Sequence, residues 1–183
     1  LALLFFATAV LYAAVGFGGG STYNALLVLA DTDYRVLPSI ALICNLIVVT
    51  GGVLQYRRSG DLDWRFALPF VALSVPMAWL GGRIPIDEGA FVLLLGLSLL
   101  AAGVSMWFQP TTASSPDGAP SVASWFLGLP LGGLFGFLCC MLGIGGGIFW
   151  APALHLLGLA DPKRIAATSC FFIMVNSSAG LVV

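Results

Sequence analysis

Charged residues fall in short clusters along the chain, and between them the sequence runs apolar for the length of a helix. The clusters are Asp31, Asp33 and Arg35; Arg57, Arg58, Asp61, Asp63 and Arg65; Arg83, Asp87 and Glu88; Asp117 alone; and Asp161, Lys163 and Arg164. Apolar stretches lie at about 1–30, 36–56, 66–82, 89–108, 121–158 and 165–183. Roughly 20 helical residues cover the roughly 30 Å of a bilayer's hydrocarbon core. Stretches 36–56 and 89–108 therefore fit one crossing each, and 66–82 is just long enough. None of the stretches holds a Lys, Arg, Asp or Glu. That matches the cost of a charge at the bilayer centre, about 2.5–3.5 kcal/mol even on a lenient insertion scale.

Composition strengthens this reading. The chain is 60% apolar and 8% charged, with a mean hydropathy of +1.04, whereas soluble domains are about 45–50% apolar and about 25% charged. An all-α, polytopic membrane helical bundle is expected. A net charge of −1 leaves no basic footprint for a nucleic-acid partner. A single histidine and no acidic cluster argue against a metal site, and no cofactor motif is present. His155, the one ionisable residue within a span, reads as a packing residue. Cys44, Cys139, Cys140 and Cys170 lie in apolar runs without CxxC spacing and read as buried thiols. Gly20-Ser21 is not a Gly-x-Ser-Gly nucleophile motif, and no lysine follows a glycine run as a phosphate loop requires. The chain is not expected to be an enzyme. It opens at Leu1 and closes within an apolar run at Val183, so it reads as a piece of a longer protein.

The two ends of the sequence resemble each other. Residues 16–20 are Gly-Phe-Gly-Gly-Gly and residues 143–147 are Gly-Ile-Gly-Gly-Gly. Each run is followed by about ten apolar residues, then Ala-Asp (Ala30-Asp31, Ala160-Asp161), then an arginine (Arg35, Arg164). A further span follows in both, with a polar stripe and a small pair: Gly51-Gly52 in one, Ala179-Gly180 in the other. A first repeat over 1–108, a polar linker over 109–120 and a shortened second repeat over 121–183 are expected. Extending the second repeat to match the first would add two helices, so six of about eight crossings are represented here.

Three glycines in succession should break a helix, because each costs about 1 kcal/mol relative to alanine. Open backbone at membrane depth survives only where protein or water covers it. The segments after the breaks, 21–30 and 148–158, span about half a bilayer, and paired half-helices are the sequence mark of a transporter binding site. Their N-terminal N–H groups suit an anion. The candidate substrate site is therefore Gly18, Gly19, Gly20, Ser21, Asn24, Asn45, Gly145, Gly146, Gly147, Thr168, Ser169 and Asn176. Asn45 and the polar residues of the last span are expected to act as donors lining the cavity. Ser21 and Asn24 also suit helix capping. Gly128, Gly132 and Gly136, four apart, read instead as a close-packing face.

The paired Gly-x-Gly-Gly-Gly motifs resemble those of the sulfite exporter TauE/SafE family of membrane transporters. So do the loop Gln55-Tyr56-Arg57-Arg58-Ser59-Gly60-Asp61-Leu62-Asp63-Trp64-Arg65 and the phrase Ala167-Thr168-Ser169. Where the first repeat should carry the same phrase, it reads Pro38-Ser39-Ile40. The resemblance implies a multi-pass protein of the bacterial inner membrane that moves sulfite, organosulfonates or related small anions, with export as the expected direction. The partners implied are the anion and the lipid bilayer, with room for a homo-oligomer. A channel-like facilitator, or a permease for another small anion such as a carboxylate, is the alternative. Orientation depends on the breaks. If each broken stretch crosses once, three and four basic residues face the two sides; if each makes a hairpin, the split is five and two.

Overall fold

The structure, a computed structural model, describes residues 1–107, 122–156 and 161–182. The expected linker over 109–120 and Ala160 lie outside them. The described residues form helices only: α1 (Ala2–Val15), α2 (Gly20–Leu29), α3 (Leu37–Ser59), α4 (Trp64–Gly82), α5 (Glu88–Trp107), α6 (Val122–Met141), α7 (Gly147–Leu156) and α8 (Pro162–Leu181). Among them, Leu37–Ser59, Trp64–Gly82 and Glu88–Ser105 are long and apolar enough to cross a membrane.

Both expected breaks are present, one or two residues ahead of the positions read from the sequence. The N–H of Gly16 donates to Ala13 O at 3.3 Å and that of Phe17 to Tyr12 O at 2.9 Å. With Gly16 left-handed at φ 84°, this closes α1 in the usual glycine-terminated turn. The same two bonds recur 127 residues on, from Gly143 to Cys140 O at 3.2 Å and from Ile144 to Cys139 O at 2.7 Å. The helices restart in parallel too. Thr22 and Tyr23 donate to Gly19 O, and Phe149 and Trp150 donate to Gly146 O. Gly19 and Gly146 stand at φ 79° and 90°, a region that side-chain-bearing residues avoid. Gly19 itself is the N-cap of α2, and no side chain caps that helix. Ser21 and Asn24 are therefore not capping residues, and their polar groups are left for other partners.

Each break reverses the chain. Phe5 stacks on Tyr23 with ring centroids 4.9 Å apart, and the Tyr12 and Thr22 hydroxyls bond at 2.8 Å, so α2 folds back along α1. Likewise Phe135 stacks on Phe149 at 5.7 Å, which lays α7 back along α6. The consequence appears in α3 and α8, which run antiparallel. A Cβ placed at Gly52 would lie 2.8 Å from Cys170 Sγ, and one at Gly180 would lie 3.0 Å from Leu42 Cδ1. Numbers rise along one helix as they fall along the other. The hairpin alternative is thus the one adopted, and the basic residues divide five to two: Arg57, Arg58, Arg65, Lys163 and Arg164 at one end, Arg35 and Arg83 at the other. Ser59→Cys and Pro162→Cys are expected to react with an impermeant thiol reagent from the same side of the membrane. Labelling from opposite sides would overturn the antiparallel arrangement.

The glycine face of α6 behaves as its spacing predicts. A Cβ at Gly132 would lie 3.1 Å from Phe70 O, and one at Gly136 would lie 2.6 Å from Ser74 O, so the backbones of α4 and α6 pack in direct contact. Gly128 is placed in α6 by its backbone. The core beside this contact is aromatic. Trp150 stacks on Phe172 at 4.9 Å and meets Phe70 edge-on at 4.8 Å. That cluster anchors α7 against α4 and α8 and fixes where the second break can sit.

Candidate functional site

The two breaks meet around one side chain. Asn45, fully buried on α3, donates from Nδ2 to Ile144 O at 3.1 Å. The Asn45 amide lies against Gly18. A Cβ at Gly20 would sit 2.5 Å from Asn45 Nδ2, and one at Gly145 2.6 Å from the same atom and 3.0 Å from Ser177 Oγ. Only glycine lets the two turns approach this amide. Asn24 makes a second link, donating from Nδ2 to Leu142 O at 2.6 Å. Two asparagines of the first half thus hold the second glycine turn by its carbonyls. On α8, Ile173 packs against Gly145 and Gly147.

These bonds fix the polarity of the site. An asparagine side chain donates only through its Nδ2, so each must turn its Nδ2 toward the turn carbonyl and its Oδ1 away. Asn24 Oδ1 and Asn45 Oδ1 are buried without a hydrogen-bond partner, as are Ser169 Oγ, Ser177 Oγ and Trp150 Nε1. Among the described residues, the backbone N–H groups of Gly18, Gly19, Gly20 and Ser21, and of Gly147 and Ile148, also have no acceptor. These are the open ends of α2 and α7, where the helix dipoles place partial positive charge. At the open end of α2, the free Asn45 oxygen lies against Gly18 and Gly20. The Nδ2 donors of Asn45 and Asn24 are already engaged, and their oxygens are what remain.

Of the other residues singled out from the sequence, Thr168 and Asn176 are engaged elsewhere. Thr168 Oγ1 donates back to Arg164 O at 2.8 Å. Asn176 Nδ2 donates to Phe172 O at 3.0 Å, and its Oδ1 accepts from Ser74 Oγ at 2.5 Å, which ties α8 to α4. Ser169 is buried with its hydroxyl free. Sequence reasoning passed over Ser74 and gave Ser177 no place in the site. A lone hydroxyl in the charge-free 66–82 stretch was the available signal for the first.

Each end of the helix pair α3/α8 opens on a cavity. One of about 450 Å³ is lined by Arg35, Ser39, Leu42, Cys140, Met141 and Gly180 among others; Met141 immediately precedes the second glycine turn. At the opposite end a cavity of about 750 Å³ is lined by Asp61, Asp63, Lys163 and Arg164 among others. There Arg164 forms an ion pair with Asp63, joining the α3–α4 loop to the start of α8. Burial pushes the Asp63 carboxyl up, but Arg164 and the backbone N–H groups of Arg65 and Phe66 outweigh it and hold the carboxyl below its usual range. A lowered carboxyl stabilises the fold above its ordinary titration range, and the contribution is lost as pH falls through the lowered value. Asp63→Asn keeps an N-cap acceptor for α4 but removes the ion pair. It is expected to flatten the acid limb of the thermal stability profile, by less than about 1 kcal/mol because the pair is well exposed. An unchanged acid limb would show that the pair contributes nothing there.

Known proteins similar in sequence to this chain are membrane transporters by name. A probable membrane transporter protein of Sinorhizobium fredii (strain NBRC 101917 / NGR234), y4hK, is 32% identical over the whole of this chain and 74% of its own length. A probable membrane transporter protein of Bacillus subtilis (strain 168), YunE, is 28% identical over 92% of this chain and 71% of its own. No solved structure matches the chain. The family model for the sulfite exporter TauE/SafE matches residues 1–183 from end to end. With that match and the relatives' likeness, the chain belongs to the sulfite exporter TauE/SafE family of membrane transporters.

Proposed function

We propose that the protein is a secondary transporter that exports small anions, such as sulfite or organosulfonates, across the bacterial inner membrane. The observation that carries this reading is the meeting of two glycine-broken helices, with unpaired N–H groups, around buried Asn45. Residues 1–108 and 121–183 are then inverted repeats, each supplying one half-helix to a common central site. The five basic residues at the Arg164 end against two at the Arg35 end support a cytoplasmic Arg164 end. Anions would load there after the Asp63–Arg164 pair parts, and leave past Arg35 and Ser39. No carboxylate lies within the apolar stretches to relay protons. The membrane potential, about 2.3 kcal/mol per charge per 100 mV, is sufficient to drive an anion outward.

The test is flux of radiolabelled sulfite from proteoliposomes, with and without an imposed potential. Saturable flux that accelerates when the side of exit is made positive supports the reading. Flux indifferent to voltage and to the sulfite gradient would sink it, and linear, non-saturating flux without counterflow would show a channel-like facilitator instead.

A further inference from the structure

We propose that the central site selects a singly charged oxyanion that still carries one O–H, such as hydrogen sulfite, over the fully deprotonated dianion. This rests on the transporter reading above and narrows it. A fully deprotonated oxyanion has acceptors only. It could satisfy the free N–H groups of Gly18–Ser21 and of Gly147 and Ile148, but it would set its oxygens against Asn45 Oδ1, which lies against Gly18 and Gly20. That oxygen is fully buried and without a donor, and the amide cannot flip without giving up its bond to Ile144 O. A buried acceptor left facing another acceptor forfeits its hydrogen bond and adds repulsion. One O–H on the ligand supplies the missing donor, while its remaining oxygens take the amide N–H groups.

Charge points the same way. The glycine turns carry no cationic side chain, only helix ends equivalent to about half a unit charge each. Two such ends match one negative charge. The desolvation cost of an ion grows with the square of its charge, so a dianion would pay about four times as much against the same partial charges. Hydrogen bonding and desolvation therefore select the same species.

The experiment measures half-saturating total sulfite for flux by the reconstituted protein from about pH 6 to about pH 8. Above the second ionisation of sulfite, half-saturating total sulfite is expected to rise about tenfold per pH unit, staying constant when expressed as hydrogen sulfite. Competition by methanesulfonate, a permanent monoanion with no O–H, is measured across the same range. It is expected to be at least about tenfold weaker than hydrogen sulfite and independent of pH. A pH-independent half-saturating total concentration, or methanesulfonate competing equally well, would overturn the proposal. Methanesulfonate competition that shifted in step with sulfite would also overturn it, by showing that a group on the protein is titrating. If sodium stimulated sulfite flux while pH did not, the free oxygens serve a cation and the proposal fails. Absence of any sulfite flux or binding would instead count against the transporter reading itself.

Discussion

Gly143→Ala is expected to be among the most destabilising single-methyl additions in the molecule, by about 2–5 kcal/mol. Two independent costs combine there. Gly143 sits at φ 69°, where a Cβ costs about 1–2 kcal/mol. That Cβ would also collide with Pro38, lying 2.8 Å from both its Cβ and its O. Pro38 is backbone and ring in the first turn of α3 and cannot rotate aside, so the overlap adds about 1–3 kcal/mol. Gly60→Ala isolates the first cost, since Gly60 has φ 82° with nothing within 4 Å of the new atom. Thermal unfolding of both variants in detergent should show a much larger drop for Gly143→Ala. Equal drops would mean that the α6–α7 turn yields away from α3, and the tight junction between the halves would have to be abandoned.

The comparison separates what local sequence encodes from what assembly decides. Helix extents were legible because apolar runs and charge clusters are set residue by residue; α3 and α4 run a few residues past 36–56 and 66–82 only because Arg57, Arg58 and Arg65 can reach out from helix ends. The breaks were legible because glycine's cost in a helix is local. Their direction was not. Gly16 and Gly143 can end a helix in either geometry, and what lays α2 back along α1 is the Tyr12–Thr22 bond and the Phe5–Tyr23 stack. These are tertiary contacts with no pattern in the linear chain. The buried polar side chains were legible as a class, since an amide amid apolar residues needs a reason. Their hydrogen-bond partners were not, because whether an asparagine presents N–H or C=O depends on which carbonyl it meets. Asn176 illustrates the point. It resembles Asn45 in sequence context, yet Ser74 on α4 takes up its oxygen and turns it into a helix–helix tie.

That distinction makes Asn45 the most informative residue to change. Asn45→Leu is close in volume but removes both the N–H that holds Ile144 O and the free oxygen beside Gly18. Losing the first leaves a buried carbonyl unpaired, at about 1–3 kcal/mol of stability, which should lower the melting temperature without unfolding the protein. Ile173 shows that an apolar side chain packs against the second glycine turn, so Leu should find room. Losing the contacts to a bound anion should reduce sulfite flux about tenfold to a hundredfold, the effect of removing a hydrogen bond to a charged partner. Asn176→Leu provides the contrast. It forfeits the Ser74 and Phe172 bonds and should destabilise the fold by a similar amount, because the buried Ser74 hydroxyl loses its acceptor. Its flux per folded molecule should stay within a few-fold of wild type. If instead the two substitutions lowered flux alike, in proportion to lost stability, Asn45 would be a structural amide and the site would have to lie away from the junction of the two glycine turns.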